Sequence, residues 1–207
     1  MVQSARSRTV LALYTTATDV QCHRVRLVLA AKGVTYDRIE VNPLKPPEDL
    51  LDLNPYGGTP TLADRDLVLY DTAVVCEYLD ERYPHPPLMP IDPLSRARLR
   101  LACVRIELDW LPHIQAIAEG GKSVDTARKQ LREQLLASLP LFKASKFFLN
   151  AEMSLADCLV APVVWRLPWL GVDLGREGKP ILDYGERLFH SQGFSRSLTA
   201  EERVMRA

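Results

Sequence analysis

This sequence of 207 residues is most informative, at first, in what it lacks. Net charge is absent, since 26 Lys and Arg stand against 26 Asp and Glu. Divided at Ile91, the first part carries 9 basic against 12 acidic residues and the second 17 against 14. Neither half therefore holds the concentrated basic face that a nucleic-acid-binding domain needs, and no direct reading of DNA is expected. Cysteine is sparse: Cys22, Cys76, Cys103 and Cys158 never fall in C-x-x-C spacing. That argues against a zinc ribbon or a dithiol redox motif and suggests buried thiols in a reducing compartment. No stretch approaches the roughly eighteen apolar residues of a membrane span. The start, MVQSARSRTVLALY, offers only a five-residue apolar run, too short for a secretory leader. A cytoplasmic chain with no membrane segment is expected. His113 and His190 have no Cys, His or Asp at ligand spacing, so no metal is expected, and nothing in the sequence points to a cofactor.

What is present suffices for a real core, with 47% hydrophobic and 25% charged residues, and the length allows one large domain or two small ones. The first part alternates strands and helices. Val10–Tyr14 is a short apolar run closed by two threonines and predicts a strand. HRVRLVLAAK (23–32) places Val25, Val28 and Leu29 on one helical face, and Gly33 supplies the left-handed stop. Tyr36–Val41 predicts a second strand, giving a β-α-β unit and a parallel pair. KPPEDLLDLNP fits one short helix. Thr61–Ala63 and Leu67–Tyr70 flank DRD as a tight hairpin. Asp71 and Thr72 cap a helix running to Tyr83 with Val74, Val75, Tyr78 and Leu79 inward.

The second part reads as helical throughout. Asp92-Pro93 is a cap followed by proline at the first helical position, and the helix from Leu94 should reach Gly120 with a bend near Pro112. Further helices are expected over Val124–Leu139, from the capping box at Ser154–Asp157, over Pro180–Gln192, and at Thr199–Met205 with Glu202 closing a second capping box. Trp110, Trp165 and Trp169 suit a core or a domain interface. Arg96, Arg98 and Arg100 suit a solvated face, or one that meets an acidic partner.

Between the two parts lies YPHPPLMP (83–90), with four prolines and a histidine in eight positions. Proline fixes its own φ, lacks a backbone N–H and pushes the residue before it out of the helical region. Tyr83, His85, Pro86 and Met89 all precede a proline, so the segment should be extended and ordered in advance. It fits a rigid linker, and it fits a stiff surface presenting His85 toward solvent or into a shallow pocket. Both can hold at once. Such flanks reduce the entropy lost on binding, and imidazole offers a donor and an acceptor among apolar rings.

The order β-α-β, helix, hairpin, helix, then helices alone resembles the glutathione-transferase fold: an α/β thioredoxin-like N-terminal domain followed by an all-α C-terminal domain. HRVRLVLAAKG, NPYGGTPTL, LYDTAVVCEYLDERYP and SLADC stand at the places that fold expects. YLDERYPHPPLMP, RKQLREQLL, SLADC and WRLPWLGV resemble, more narrowly, the stringent starvation protein A family of bacteria, over nearly the whole chain. The domain bounds that follow are 8–84 and 93–207, with a proline-rich linker at 85–92. The resemblance implies a regulator that binds RNA polymerase holoenzyme (sigma factor and core subunits), that acts in stationary phase and stress, and that lacks transferase activity. It implies a homodimer, although some relatives form heterodimers and sense an alarmone nucleotide. It further implies partner binding at Pro84, His85 and Pro86, with Pro87 beside them.

The same resemblance places a remnant glutathione site at Thr59-Pro60, the pair whose proline is cis in this fold, and at Asp71-Thr72, in place of the usual Glu/Gln-Ser. A plain helix cap, which every helix needs, explains Asp71-Thr72 better than a ligand does. A transferase holds the glutathione sulfur as thiolate with a hydroxyl or thiol near the start of the first helix. Aligning on Arg24-Val25-Arg26 puts Asp19, Val20 and Gln21 there, and an aspartate repels a thiolate. Thr15, Thr16, Thr18 and Cys22 could offer a group, but Cys22 suits a packed small residue better, and His23 suits packing or capping. No catalytic residue is expected. The competing reading is a glutathione-dependent transferase or thiol reductase.

Overall fold

The computed structural model describes residues 11–206 of the chain. The strand predicted from Val10 is Ala12–Thr15 (β1), and position 10, like residues 8 and 9 of the expected first domain, lies outside the described residues. The first helix, Val20–Ala31 (α1), begins three residues before the expected start because Asp19 caps it, accepting from the Cys22 amide at 2.8 Å. Gly33 at φ 65° turns the chain out of α1, as its lack of Cβ allows. Asp37–Glu40 (β2) pairs parallel with β1. Glu48–Leu53 (α2) follows, and then the hairpin of Thr61–Asp64 (β3) and Leu67–Leu69 (β4). The sheet order is β2-β1-β3-β4, with β3 antiparallel to β1.

Thr72–Arg82 (α3) closes this half. Its cap Asp71 accepts from the Val74 amide at 3.0 Å. Val75 and Leu79 face the core as expected, but Val74 is 50% exposed, because a helix capped at Asp71 turns position 74 outward. The long helix expected over 94–120 is two: Pro93–Asp109 (α4) and Leu111–Glu119 (α5). The break falls at Trp110, where proline at the second position of α5 requires a fresh start. Val124–Ala137 (α6) is followed by Leu139–Lys143 (α7), a short helix that starts where the expected stretch ends and that the sequence reading does not include.

Leu155–Leu170 (α8) is the centre of the helical half, buried along nearly its whole length. Its capping box is formed. Asp157 accepts from the amides of Phe148 and Ser154 and from the Tyr184 hydroxyl, each at 2.8 Å, and Gly171 at φ 68° ends the helix. Lys179–Phe189 (α9) stops before the expected Gln192, and Gln192–Ser197 (α10), capped by Ser191, is a further short helix that the sequence reading does not assign. Ala200–Arg203 (α11), with its capping box, and a single tight turn at Val204–Arg206 complete the described chain. One apolar core runs through both halves, from Leu13 and Val28 through Leu79 and Ile106 to Val160 and Tyr184. Trp110 is buried in it, and Trp165 packs on Phe189 and Phe194. Trp169 is 49% exposed, which corrects its expected place in a core or interface. It lies on the face of α8 turned away from the core, whereas Leu167 and Leu170 on either side are buried.

Candidate functional site

The proline-rich segment begins where α3 cannot continue. Tyr83 caps the helix with its N–H on Leu79, and Pro84 has no N–H to extend it. Pro84, His85, Pro86 and Pro87 are all exposed, and the His85–Pro86 peptide is cis. Leu88 and Met89, by contrast, are buried in the common core. The expectation of His85 toward solvent is met. Behind the exposed face the chain is held. Lys32 Nζ donates to the Pro86 carbonyl and to Asp80 Oδ1, the Leu88 amide donates to the same Asp80 oxygen at 2.7 Å, and the Leu155 amide donates to the Leu88 carbonyl at 2.9 Å. A groove of about 500 Å³ starts at Pro87 and runs between residues 87–92 and residues 150–154.

The arginines of α4 divide. Arg100 grips Glu77 of α3 through two hydrogen bonds, at 2.9 and 2.6 Å, and holds that carboxyl below its usual range. Arg96 lies 3.6 Å from Glu81. Their acidic partner is thus the neighbouring helix of the same chain, and among the described residues Arg98 is the one of the three that is exposed without an ion pair.

Where the resemblance places a glutathione site, Thr59–Pro60 is cis, and Asn54 Nδ2 braces the turn by donating to the Gly58 carbonyl and to Thr61 Oγ1. Asp71 is engaged in capping α3, and Thr72 is buried as its first residue. The start of α1 is likewise occupied: the Asp19 carboxylate takes the Cys22 amide, a donor that would otherwise face an incoming anion. Cys22 is fully buried, with the Thr16 amide and hydroxyl both 3.4 Å from its sulfur. Burial, with Asp19 beside it, pushes the thiol up despite those two donors and Thr59. Thr15 and Thr16 are buried as well; Thr15 Oγ1 accepts from Arg26 at 2.7 Å. Thr18 alone among the candidate hydroxyls is exposed.

Sequence reasoning missed the polar network beneath this site. Arg24, Arg26 and Arg166 are fully buried, although arginine is seldom buried without a partner. Glu202 supplies one. Its Oε1 accepts from Arg26 Nη2 at 2.6 Å and from Arg166 Nη2, while Oε2 takes the Thr199 amide. Arg166 Nη1 donates to His23 Nδ1 at 2.8 Å, so His23 carries its proton on Nε2 and donates to Ser197 Oγ. Burial first, and then the three arginines, hold the imidazole well below its usual range, which keeps it neutral. Thr199 Oγ1 donates to the Ala17 carbonyl, so the last described helices strap the β1–α1 turn in place. Arg24 ties α1 to Glu107 of α4 and to the Leu159 carbonyl of α8. Among the described residues no three His, Cys, Asp or Glu converge as metal ligands, and no helix is long and apolar enough to cross a membrane.

Comparison with known proteins gives this geometry its family. Residues 20–82 match the glutathione S-transferase N-terminal domain and residues 101–191 the C-terminal domain. The stringent starvation protein A homolog of Pasteurella multocida is 48% identical over 201 residues, 96% of this chain and 94% of that protein. The chain belongs to the stringent starvation protein A family. The homolog from Coxiella burnetii is 43% identical, over 96% of each chain. Glutathione transferase Omega 3C from Trametes versicolor shares the fold, with a TM-score of 0.82 at 24% identity over 94% of this chain and 87% of that one. The family's glutathione-transferase architecture is therefore present here with its first-helix anion donor capped internally and its proline-rich junction tied down from behind.

Proposed function

We propose that this protein is a transcription regulator that binds RNA polymerase holoenzyme, sigma factor and core subunits included, by protein contact in stationary phase and stress. Pro84, His85, Pro86 and Pro87 form the contact surface. One observation carries the reading: four consecutive residues stand exposed at the junction of the two halves, while the chain immediately after them is anchored in the core. A partner meets a surface whose ordering entropy has already been lost during folding. The neutral overall charge supports protein contact over DNA reading, since phosphate contacts need clustered cations. The protein acts in the cytoplasm, and its two domains meet at the 85–92 linker. Association of the purified protein with holoenzyme and with core enzyme, followed by gel filtration, tests the proposal; migration of the protein apart from both would refute it.

In this reading the glutathione site at Thr59, Pro60, Asp71 and Thr72 is a remnant, and the protein is not an enzyme. The Asp19 carboxylate on the start of α1 and the burial of Cys22 both oppose a thiolate there. Conjugation of glutathione to a standard aryl halide should stay at the uncatalysed rate. Turnover comparable to a transferase and abolished by Thr16→Ala or Cys22→Ala would show that the site still works.

The protein is also proposed to be a two-fold homodimer. Val74 of α3 and Leu101, Val104 and Leu108 of α4 are exposed apolar residues on helices that an isologous interface would cover. Light scattering at micromolar concentration should give about twice the chain's 23.3 kDa, and a value equal to one chain would rule the dimer out.

A further inference from the structure

The four residues of the contact surface are unusual in how little they can do for their own placement. Of Pro84, His85, Pro86, Pro87 and Leu88, only His85 and Leu88 carry a backbone N–H. A segment so poor in donors cannot fold onto itself through the usual turn hydrogen bonds. Its position has to be set through its carbonyl oxygens and the Leu88 amide by groups that lie elsewhere.

Both kinds of handle are taken by one ion pair. Lys32 Nζ lies 2.5 Å from Asp80 Oδ1, and both residues are buried, at 8% and 7% exposure. The ammonium donates to the Pro86 carbonyl, on the N-terminal side of Pro87. The carboxylate accepts from the Leu88 amide, on the C-terminal side of it. Lys32 is the C-terminal cap of α1 and Asp80 belongs to the last turn of α3, so the pair spans two helices and grips the backbone on either side of a single proline. A buried ion pair gains little by itself, because desolvation offsets the attraction. Its placement here is explained by what it orients.

Resting on the reading of Pro84–Pro87 as the partner surface, we propose that Lys32 and Asp80 are its positioning residues: they touch no partner, and they fix the face that does. A purely structural pair would fill the space between α1 and α3 without regard to the loop; this one has a donor and an acceptor directed into it.

The test is the double substitution Lys32→Met with Asp80→Asn. Lys32→Met alone leaves a buried carboxylate without its cation and is expected to unfold more readily. The pair of changes removes both charges at nearly constant volume, and the amide oxygen of the asparagine can still accept from the Leu88 amide. What is lost is the Pro86 tether. The double variant should melt close to the parent, its His85 amide should show fast motion by heteronuclear NOE where the parent's is rigid, and its affinity for holoenzyme should fall by about tenfold or more. His85 and Leu88 amides as rigid as the parent's would overturn the positioning role, whatever polymerase does. A loosened loop with unchanged polymerase binding upholds the positioning role and refutes the loop as the contact surface. Should the double variant not fold, amide exchange in the parent protein decides. Leu88 should exchange slower than an unstructured amide by a factor on the order of a thousand, and rapid exchange of Leu88 in the folded protein overturns the proposal.

Discussion

Replacing Pro84, His85 and Pro86 together by alanine is expected to leave the protein folded and to lower its affinity for RNA polymerase holoenzyme by more than tenfold. Folding should survive because all three side chains are exposed, so no core contact is removed. The carbonyl of residue 86 also remains available to Lys32 whatever side chain it carries. A melting shift of only a few degrees is therefore expected, the ordinary effect of surface changes. The loss of affinity has two sources. Alanine restores backbone freedom that the prolines remove, and binding must then order the loop again. The imidazole, a polar group with both a donor and an acceptor, disappears from the middle of the surface. Tenfold corresponds to about 1.4 kcal/mol, a modest demand for a rigid patch of this kind. Isothermal titration or surface-immobilised polymerase would measure it. A variant that unfolds would make the segment a structural linker and nothing more. A variant that folds and binds normally would move the contact surface elsewhere, with exposed Arg98 of α4 the next position to substitute.

The largest effect on stability is expected from Glu202→Ala. This carboxylate is the acidic partner of two buried arginines, Arg26 from the first helix and Arg166 from α8. Its removal leaves two cations in a dry interior, beside a histidine that is already neutral and has no charge to offer. Breaking a buried pair from one side costs about 3–5 kcal/mol, much of the stability of a typical domain. The capping box of α11 goes as well, since Glu202 Oε2 holds the Thr199 amide. Glu202→Gln retains the shape and an acceptor oxygen while losing the charge, and should fall between the two. Urea denaturation of the parent and both variants tests this. If Glu202→Ala matches the parent within about 1 kcal/mol, the arginines have found water or another acceptor and the network does not hold the tail.

The fold is readable from the sequence because its cues are local. Asp71, Asp92, Ser154 and Thr199 all cap the helices they precede, and the alternation of β1 and β2 around α1 requires nothing distant. The misreadings have local causes too. Asp19 stands out in the sequence as a group that repels a thiolate, which hides its second role: an aspartate in front of an apolar stretch is an ordinary cap, and it starts α1 three residues early. The six residues of α10 show too little periodicity to be read as a helix of their own. The exposed face of the candidate site is legible, because proline announces its own geometry. What holds that face is not. Lys32 and Asp80 are 48 residues apart, and each reads as a charge at the end of a helix. The buried arginines are invisible for the same reason: Arg24 and Arg26 look like the polar face of a helix until Glu107, Glu202 and the Ser197 carbonyl are brought to them by the tertiary fold.

The strap formed by Glu202 also constrains how the chain is made. Arg26 precedes its counter-ion by 176 residues and Arg166 by 36. At ribosomal rates of about 5–20 residues per second, Glu202 is polymerised roughly 2–7 seconds after Arg166, and later still it clears the exit tunnel. Throughout that interval the nascent chain holds two arginines that cannot be buried, since no acid is yet present to neutralise them. The sheet and α8 can form, but Arg26 and Arg166 keep their water until Glu202 reaches them. Closure of the junction, and with it the anchoring of the β1–α1 turn, therefore waits for Glu202, and a chain cut short before that residue carries an open seam that a protease can recognise.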